Sequence, residues 1–126
     1  MDKELHDKGL AVRKEVLGPV YFEHALKRTD DFDRPFQELS NEYCWGAIWA
    51  REGLSRHTRS ILTLGMMAAL GRQGPLKLHI RGALNNGVTR EELREVFMQV
   101  AVYCGVPAGV EAFNCAREVF IDIDKK

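Results

Sequence analysis

Along almost the whole chain, apolar residues recur at the three-and-four spacing of a helix buried on one side. From Asp2 to Leu17 they fall at Leu5, Leu10, Val12, Val16 and Leu17, and Gly18-Pro19 closes the stretch because that pair cannot continue a helix. Asp31 or Asp33 suits the cap of a second helix, with Pro35 in its first turn, running through Phe36 and Leu39 towards Cys44. Aromatic residues follow as Tyr43, Trp45 and Trp49, and Gly53 breaks the pattern. Ser55 is placed to cap Arg56 to Leu70, with Gly71 just past the end. The second half of that helix, with Ile61, Leu62, Leu64, Met66, Met67 and Leu70, has no polar face, which predicts a central helix or a subunit contact.

Pro75 and Gly87 bracket the next helix, with Leu76, Ile80, Ala83 and Leu84 on its apolar stripe and Asn85-Asn86-Gly87 as its C-terminus. Thr89 to Glu92 has the spacing of a capping box. Behind it Leu93, Val96, Phe97, Val100, Ala101 and Cys104 keep the helical rule without a gap, until Gly105 and Pro107 end it. A last helix from Ala108 to about Phe120 precedes the tail IDIDKK. No repeat, low-complexity segment or strand pattern interrupts this series. The prediction is an all-α chain of roughly six helices in a single domain over residues 1–126.

Charge and composition narrow the function. Lysine plus arginine and aspartate plus glutamate number 18 each, so the formal net charge is zero. A chain without a basic excess does not present a surface for nucleic acid. The same neutrality removes self-repulsion, which permits oligomers. The charged start, MDKELHDKG, has no apolar core of the kind a signal peptide needs. The run Ile61 to Leu70 is half the length of a membrane span. Cys44, Cys104 and Cys115 are odd in number and lack C-x-x-C spacing, so the reading is buried, reduced thiols in a cytoplasmic protein, with neither a disulfide framework nor a cysteine zinc site.

Few residues then stand out for chemistry. His79 borders an apolar stripe, with Leu76 three residues before it and Ala83 four after. Imidazole titrates near neutral pH, yet a helix-edge histidine bonded to a backbone carbonyl reads the same. No histidine or carboxylate lies at helical spacing from it to suggest a metal. Arg51 and Arg81 are candidate anion holders through the bidentate guanidinium fork, or else ordinary surface ion pairs. Glu42 precedes Tyr43-Cys44-Trp45-Gly46, where bulky aromatics can raise a carboxyl pKa and make it an acid. Trp45 and Trp49, four apart, suit a core as well as a pocket wall. No GxGxxG, GxSxG, Walker loop or HExxH is present.

Three stretches, EYCWGAIWAREGL (Glu42 to Leu54), LKLHIRGALNNGVTREELREV (Leu76 to Val96) and VYCGVPAG (Val102 to Gly109), closely resemble the γ-carboxymuconolactone decarboxylase family. The similarity runs from roughly Leu10 to Phe120 without gaps in the motifs. It implies an all-helical, alkylhydroperoxidase D-like fold assembled as trimers or hexamers, working in the cytoplasm in the protocatechuate branch of the β-ketoadipate pathway. Thiol peroxidases of the same superfamily carry C-x-x-C-x-x-x-H on the helix that here holds His79, and a glutamate on the helix before it. Here Arg72 and Pro75 stand where the two cysteines would, and Ser60 where the glutamate would. Neither arginine nor proline can replace a nucleophilic sulfur, which disfavours a peroxidase.

The resemblance further implies cofactor-free decarboxylation of a lactone dicarboxylate, because the electrons left by CO2 pass into the substrate's own lactone carbonyl. It implies no metal. Within that reading His79 would stabilise the oxyanion or deliver a proton, and Glu42 would be a second acid or base. Arg51 and Arg81 would bind the retained carboxylate, while Tyr43, Trp45 and Trp49 would wall a dry pocket. A related cofactor-free enzyme acting on another lactone or carboxylate is the alternative.

Overall fold

The computed structural model describes residues 1–125 of the chain. They form seven α-helices and one π-helix, and no strand among the described residues. In order they are α1 (Lys3–Leu17), α2 (Pro19–Arg28), α3 (Arg34–Leu39), the π-helix (Ser40–Trp49), α4 (Arg56–Leu70), α5 (Gln73–Asn85), α6 (Arg90–Cys104) and α7 (Val106–Asp124). They gather into two compact units, residues 1–56 and 57–125.

In the first unit, Asp2 caps α1 by accepting from the Leu5 backbone N–H at 3.1 Å. Gly18, at φ +93°, ends α1, and Pro19 opens α2 at once. A proline that stops one helix is thus the first residue of the next, where its missing N–H costs nothing. The expected six helices become seven α-helices plus a π-helix partly for this reason: α2 follows α1 with no loop between them, although Phe22, Ala25 and Leu26 keep helical spacing.

The helix expected to run from the Asp33 region to Cys44 also changes character at Ser40. Its hydrogen bonds lengthen to the i→i+5 register, as in the Ala50 N–H to Trp45 carbonyl bond of 3.1 Å. Two glycines set its packing on α1. A Cβ on Gly9 would sit 1.8 Å from the Asn41 carbonyl oxygen, and one on Gly46 would sit 2.4 Å from that of Leu5. The two backbones therefore approach more closely than side chains would permit. Val12, Val16, Trp45 and Trp49 are buried in this unit, and the two indoles lie 5.1 Å apart.

The second unit is built on Leu64 and Ala68 of α4, Ile80 and Ala83 of α5, Phe97 of α6 and Val119 of α7, all buried. Phe97 meets Phe113 edge to face at 6.0 Å. Gly109 lets α7 reach α6, since a Cβ there would lie 2.7 Å from the Ala101 Cβ. Punctuation follows the sequence closely. Gly71, Gly87 and Gly105 take φ of +69°, +89° and +102° at the ends of α4, α5 and α6. Thr89 and Glu92 form the complete capping box at the start of α6. The last helix is longer than expected at both ends: Pro107 is accommodated in its first turn, and it runs on past Phe120 to Asp124.

Two sequence expectations need correction here. Only one side of α4 is buried: Leu62 and Met66 are exposed in the chain while Leu64 and Ala68 are not, so of the two expectations for α4 the enclosed central helix is set aside and the subunit contact is not. Of the three thiols, Cys115 is buried and Cys44 partly so, whereas Cys104 is exposed at the end of α6.

Candidate functional site

The sequence-derived candidates fall into two groups, one on each unit. The π-helix carries Glu42, Tyr43, Trp45 and Trp49. Glu42 accepts a hydrogen bond from the Asp2 backbone N–H at 3.1 Å, so the residue that caps α1 is itself held by the π-helix. Tyr43 is exposed, while both tryptophans are buried and stack on one another. Beside them, burial pushes the Cys44 thiol up, which removes thiolate character at neutral pH. Arg51 lies just past the helix end, its backbone N–H bonded to the Ile48 carbonyl at 3.1 Å and its side chain exposed.

In the second unit α5 carries His79 and Arg81. His79 is partly buried, and desolvation lowers its pKa from 6.5 to about 4. Its imidazole is therefore neutral at physiological pH, with one ring N–H to donate and one nitrogen to accept. Arg81 pairs with Asp122 of α7. One turn earlier Lys77 pairs with Glu118 at 2.7 Å, so two cations on one side of α5 meet two acids on α7. Arg72 and Pro75, at the positions where a peroxidase would place its cysteines, stand exposed at the start of α5. Ser60 is buried and its Oγ accepts from Asn86 Nδ2 at 3.4 Å. The helix-ending Asn86 also donates from that nitrogen to the Gly82 carbonyl at 2.8 Å.

Sequence reading passed over a further polar group in the first unit. Arg13 of α1 donates from one Nη to Gln37 Oε1 and to Asn41 Oδ1, each at 2.9 Å. Asn41 is buried, and its Nδ2 lies 3.3 Å from His6 Nε2. The available signal was weak: an arginine on the side of α1 that also carries Gly9, in a segment otherwise rich in exposed charge.

Three cavities accompany these residues. A groove of about 720 Å³ lies between α4 and α6, lined mainly by Ile61, Leu62, Met66, Val96 and Tyr103. Another of about 610 Å³ lies between α6 and α7 against Met98, Val102, Val106 and Val110. The third, about 170 Å³, belongs to the first unit and is lined by Arg13 and its neighbours. His79 lines none of the three.

Comparison with known proteins adds to this geometry. Residues 34–118 match the model of the carboxymuconolactone decarboxylase family. The chain is 42% identical over 122 residues to a 4-carboxymuconolactone decarboxylase of Acinetobacter baylyi, covering 97% of this chain and 91% of that protein. It is 45% identical over 126 residues to the nitrosuccinic acid decarboxylase npaB of Metarhizium robertsii, covering all of this chain and 88% of that one. A Pseudomonas putida 4-carboxymuconolactone decarboxylase matches at 33% over 45 residues, or 36% of this chain. The matched region takes in the π-helix with Glu42 and α5 with His79, and the chain belongs to the carboxymuconolactone decarboxylase family.

Proposed function

We propose that this protein is a carboxy-lyase that decarboxylates γ-carboxymuconolactone to the β-ketoadipate enol-lactone, without a cofactor, in the breakdown of aromatic acids. The observation that carries this reading is the 42% identity to the Acinetobacter decarboxylase over nearly the whole of both chains. The chemistry suits it. The γ carbon of the substrate bears the leaving carboxylate and an acetate arm. When the C–CO2 bond breaks, its electron pair moves through the ring double bond into the lactone carbonyl and gives a furanolate anion. A proton added at the α carbon then completes the exchange of CO2 for H⁺.

The residues divide this work as follows. His79 serves as a neutral hydrogen-bond donor to the lactone oxygen as charge grows there; an imidazole with a pKa about 4 is a poor store of protons at neutral pH but a good fixed dipole. Glu42 is the second acid or base and passes a proton taken up from water to the α carbon. Arg51 and Arg81 grip the retained acetate carboxylate, Arg81 by exchanging its Asp122 partner for the substrate. Tyr43, Trp45 and Trp49 provide an apolar wall that favours loss of the leaving group's charge. The protein works in the cytoplasm with an alkylhydroperoxidase D-like fold.

The working form is a homo-oligomer, a trimer or hexamer. The apolar grooves on two sides of α6 support this, with Leu62, Met66, Met98, Val102, Tyr103 and Val106 all exposed in the single chain. Patches of that kind mark protein contacts. No helix of the described residues is long and apolar enough to cross a membrane.

The nitrosuccinic acid decarboxylase supports a second reading, decarboxylation of a nitro-dicarboxylate, because its identity is 45% over the whole of this chain. There the nitro group would take up the electron pair as a nitronate. Both substrates carry their own electron sink and a second carboxylate, so one arrangement of residues serves either. The test is incubation with each substrate, following CO2 and the organic product. Turnover of the lactone with kcat/KM at least tenfold above that for nitrosuccinic acid bears out the first reading. The reverse ratio selects the second, and no CO2 from either refutes both.

A further inference from the structure

We propose that the small cavity of the first unit is a binding site for a short aliphatic carboxylate, held by the guanidinium of Arg13. A buried guanidinium ordinarily meets a carboxylate, because an uncompensated charge away from water is costly. Arg13 is only partly exposed. Both hydrogen bonds it makes among the described residues go to neutral amide oxygens, those of Gln37 and Asn41 at 2.9 Å. Its Nε is buried and has no acceptor among the described residues.

The amides that hold Arg13 are themselves fixed. Asn41 Nδ2 lies 3.3 Å from His6 Nε2, and Gln37 Nε2 donates to Asp33 Oδ2 at 3.3 Å. They orient the guanidinium without neutralising it. A carboxylate would accept from the second Nη, which neither amide engages, in a charge-assisted hydrogen bond. The rest of the wall is mixed: Leu10, Phe22, Ala25 and Leu26 form its apolar side, and His6, Thr29, Arg34 and Glu38 its polar side. The volume of about 170 Å³ is that of roughly six waters in the liquid, which limits the guest to a single carboxylate on a short alkyl chain. Glu38 also lines the cavity and is the internal competitor: were its carboxylate to satisfy Arg13 in solution, an added anion would find no site.

This site is separate from the residues assigned to decarboxylation and does not rest on that assignment. The experiment is calorimetric titration and thermal unfolding of the full-length protein with sodium butyrate, beside sodium chloride at equal ionic strength and neutral butyramide. The expected result is saturable butyrate binding in the millimolar range that chloride and butyramide do not reproduce. Binding should weaken more than tenfold in Arg13→Gln and in Leu26→Trp, which fills the cavity, and persist in Arg81→Gln. Butyrate that behaves like chloride or butyramide overturns the proposal. So does binding that survives Arg13→Gln or Leu26→Trp, or that is lost only in Arg81→Gln. Should Arg13→Gln fail to fold, Leu26→Trp and the butyramide comparison still decide.

Discussion

His79 and Arg81, two residues apart on α5, leave the helix about 200° apart around its axis. Arg81 turns with Lys77 to the acids of α7, and His79 turns the other way. A sequence that reads His-Ile-Arg as one chemical unit thus folds into two faces with different duties. If Arg81 grips substrate, Arg81→Gln raises KM by tenfold or more and leaves kcat within about threefold, a loss of about 1.4 kcal/mol in kcat/KM. The partner change separates this from a structural effect. Asp122→Asn removes a half-exposed ion pair worth at most about 1 kcal/mol, so it should lower Tm slightly and leave KM within twofold. Steady-state kinetics and thermal unfolding of both variants check the pair.

Replacing His79 by alanine removes the donor to the growing oxyanion. The expected loss is about 10²-fold in kcat, with a smaller loss in His79→Gln, whose amide still donates. Unchanged turnover in folded His79→Ala protein would remove the histidine from the mechanism.

Acid should reveal the same residue in another way. The folded pKa of His79 lies at about 4, below its ordinary 6.5. Between those values the unfolded chain binds the proton and the folded one does not, so stability falls as pH drops through that window. The loss attributable to His79 is complete below pH 4 and amounts to no more than about 3 kcal/mol. Denaturant unfolding at pH 7, 5.5 and 4.5 should show a decline that His79→Gln blunts. In activity, the acid limb of kcat/KM should show no His79 inflection near pH 6.5.

The crossing of α1 with the π-helix sets a sharper demand. Gly9→Ala would drive a methyl carbon into the Asn41 carbonyl, and Gly46→Ala into that of Leu5, both backbone atoms that no rotamer change can move. Each should destabilise by about 2 kcal/mol or more, measured by chemical denaturation. Gly53→Ala is the control, since nothing lies within 4 Å of a Cβ there, and it should stay within about 0.5 kcal/mol.

Thr89→Ala deletes the hydroxyl that accepts from the Glu92 backbone N–H at 3.1 Å. It should cost about 1 kcal/mol, and Thr89→Ser should recover most of it.

The features legible in sequence were those with a local cause. A positive φ at Gly71, Gly87 and Gly105, a capping box at Thr89 and the stripe through Leu93 and Phe97 depend on residues within a few positions of one another, and each was found where expected. Helix α2 escaped although Phe22, Ala25 and Leu26 keep helical spacing, because Gly18-Pro19 reads as the end of one helix before it reads as the start of another. The π-helix escaped because its hydrogen-bond register accompanies a close approach to α1 at Gly9 and Gly46, more than thirty positions apart. The same holds for the site. His79 and Glu42 stood out as residue types, but the 41-residue reach from Arg81 to Asp122 and the 28-residue reach from Arg13 to Asn41 exist only in three dimensions.

A segment bonded i→i+5 holds more chain per turn than the α-helix it continues. Shortening Ser40–Trp49 by one amino acid would let a turn relax to the ordinary register, re-aiming the side chains inside that turn while those beyond it keep their direction. Side chains of the π-helix such as Glu42 would then face new directions with no change in their chemistry. Relatives that keep these residue types can therefore differ in what they admit simply through segment length, so a gap of one in this stretch carries more weight than many substitutions.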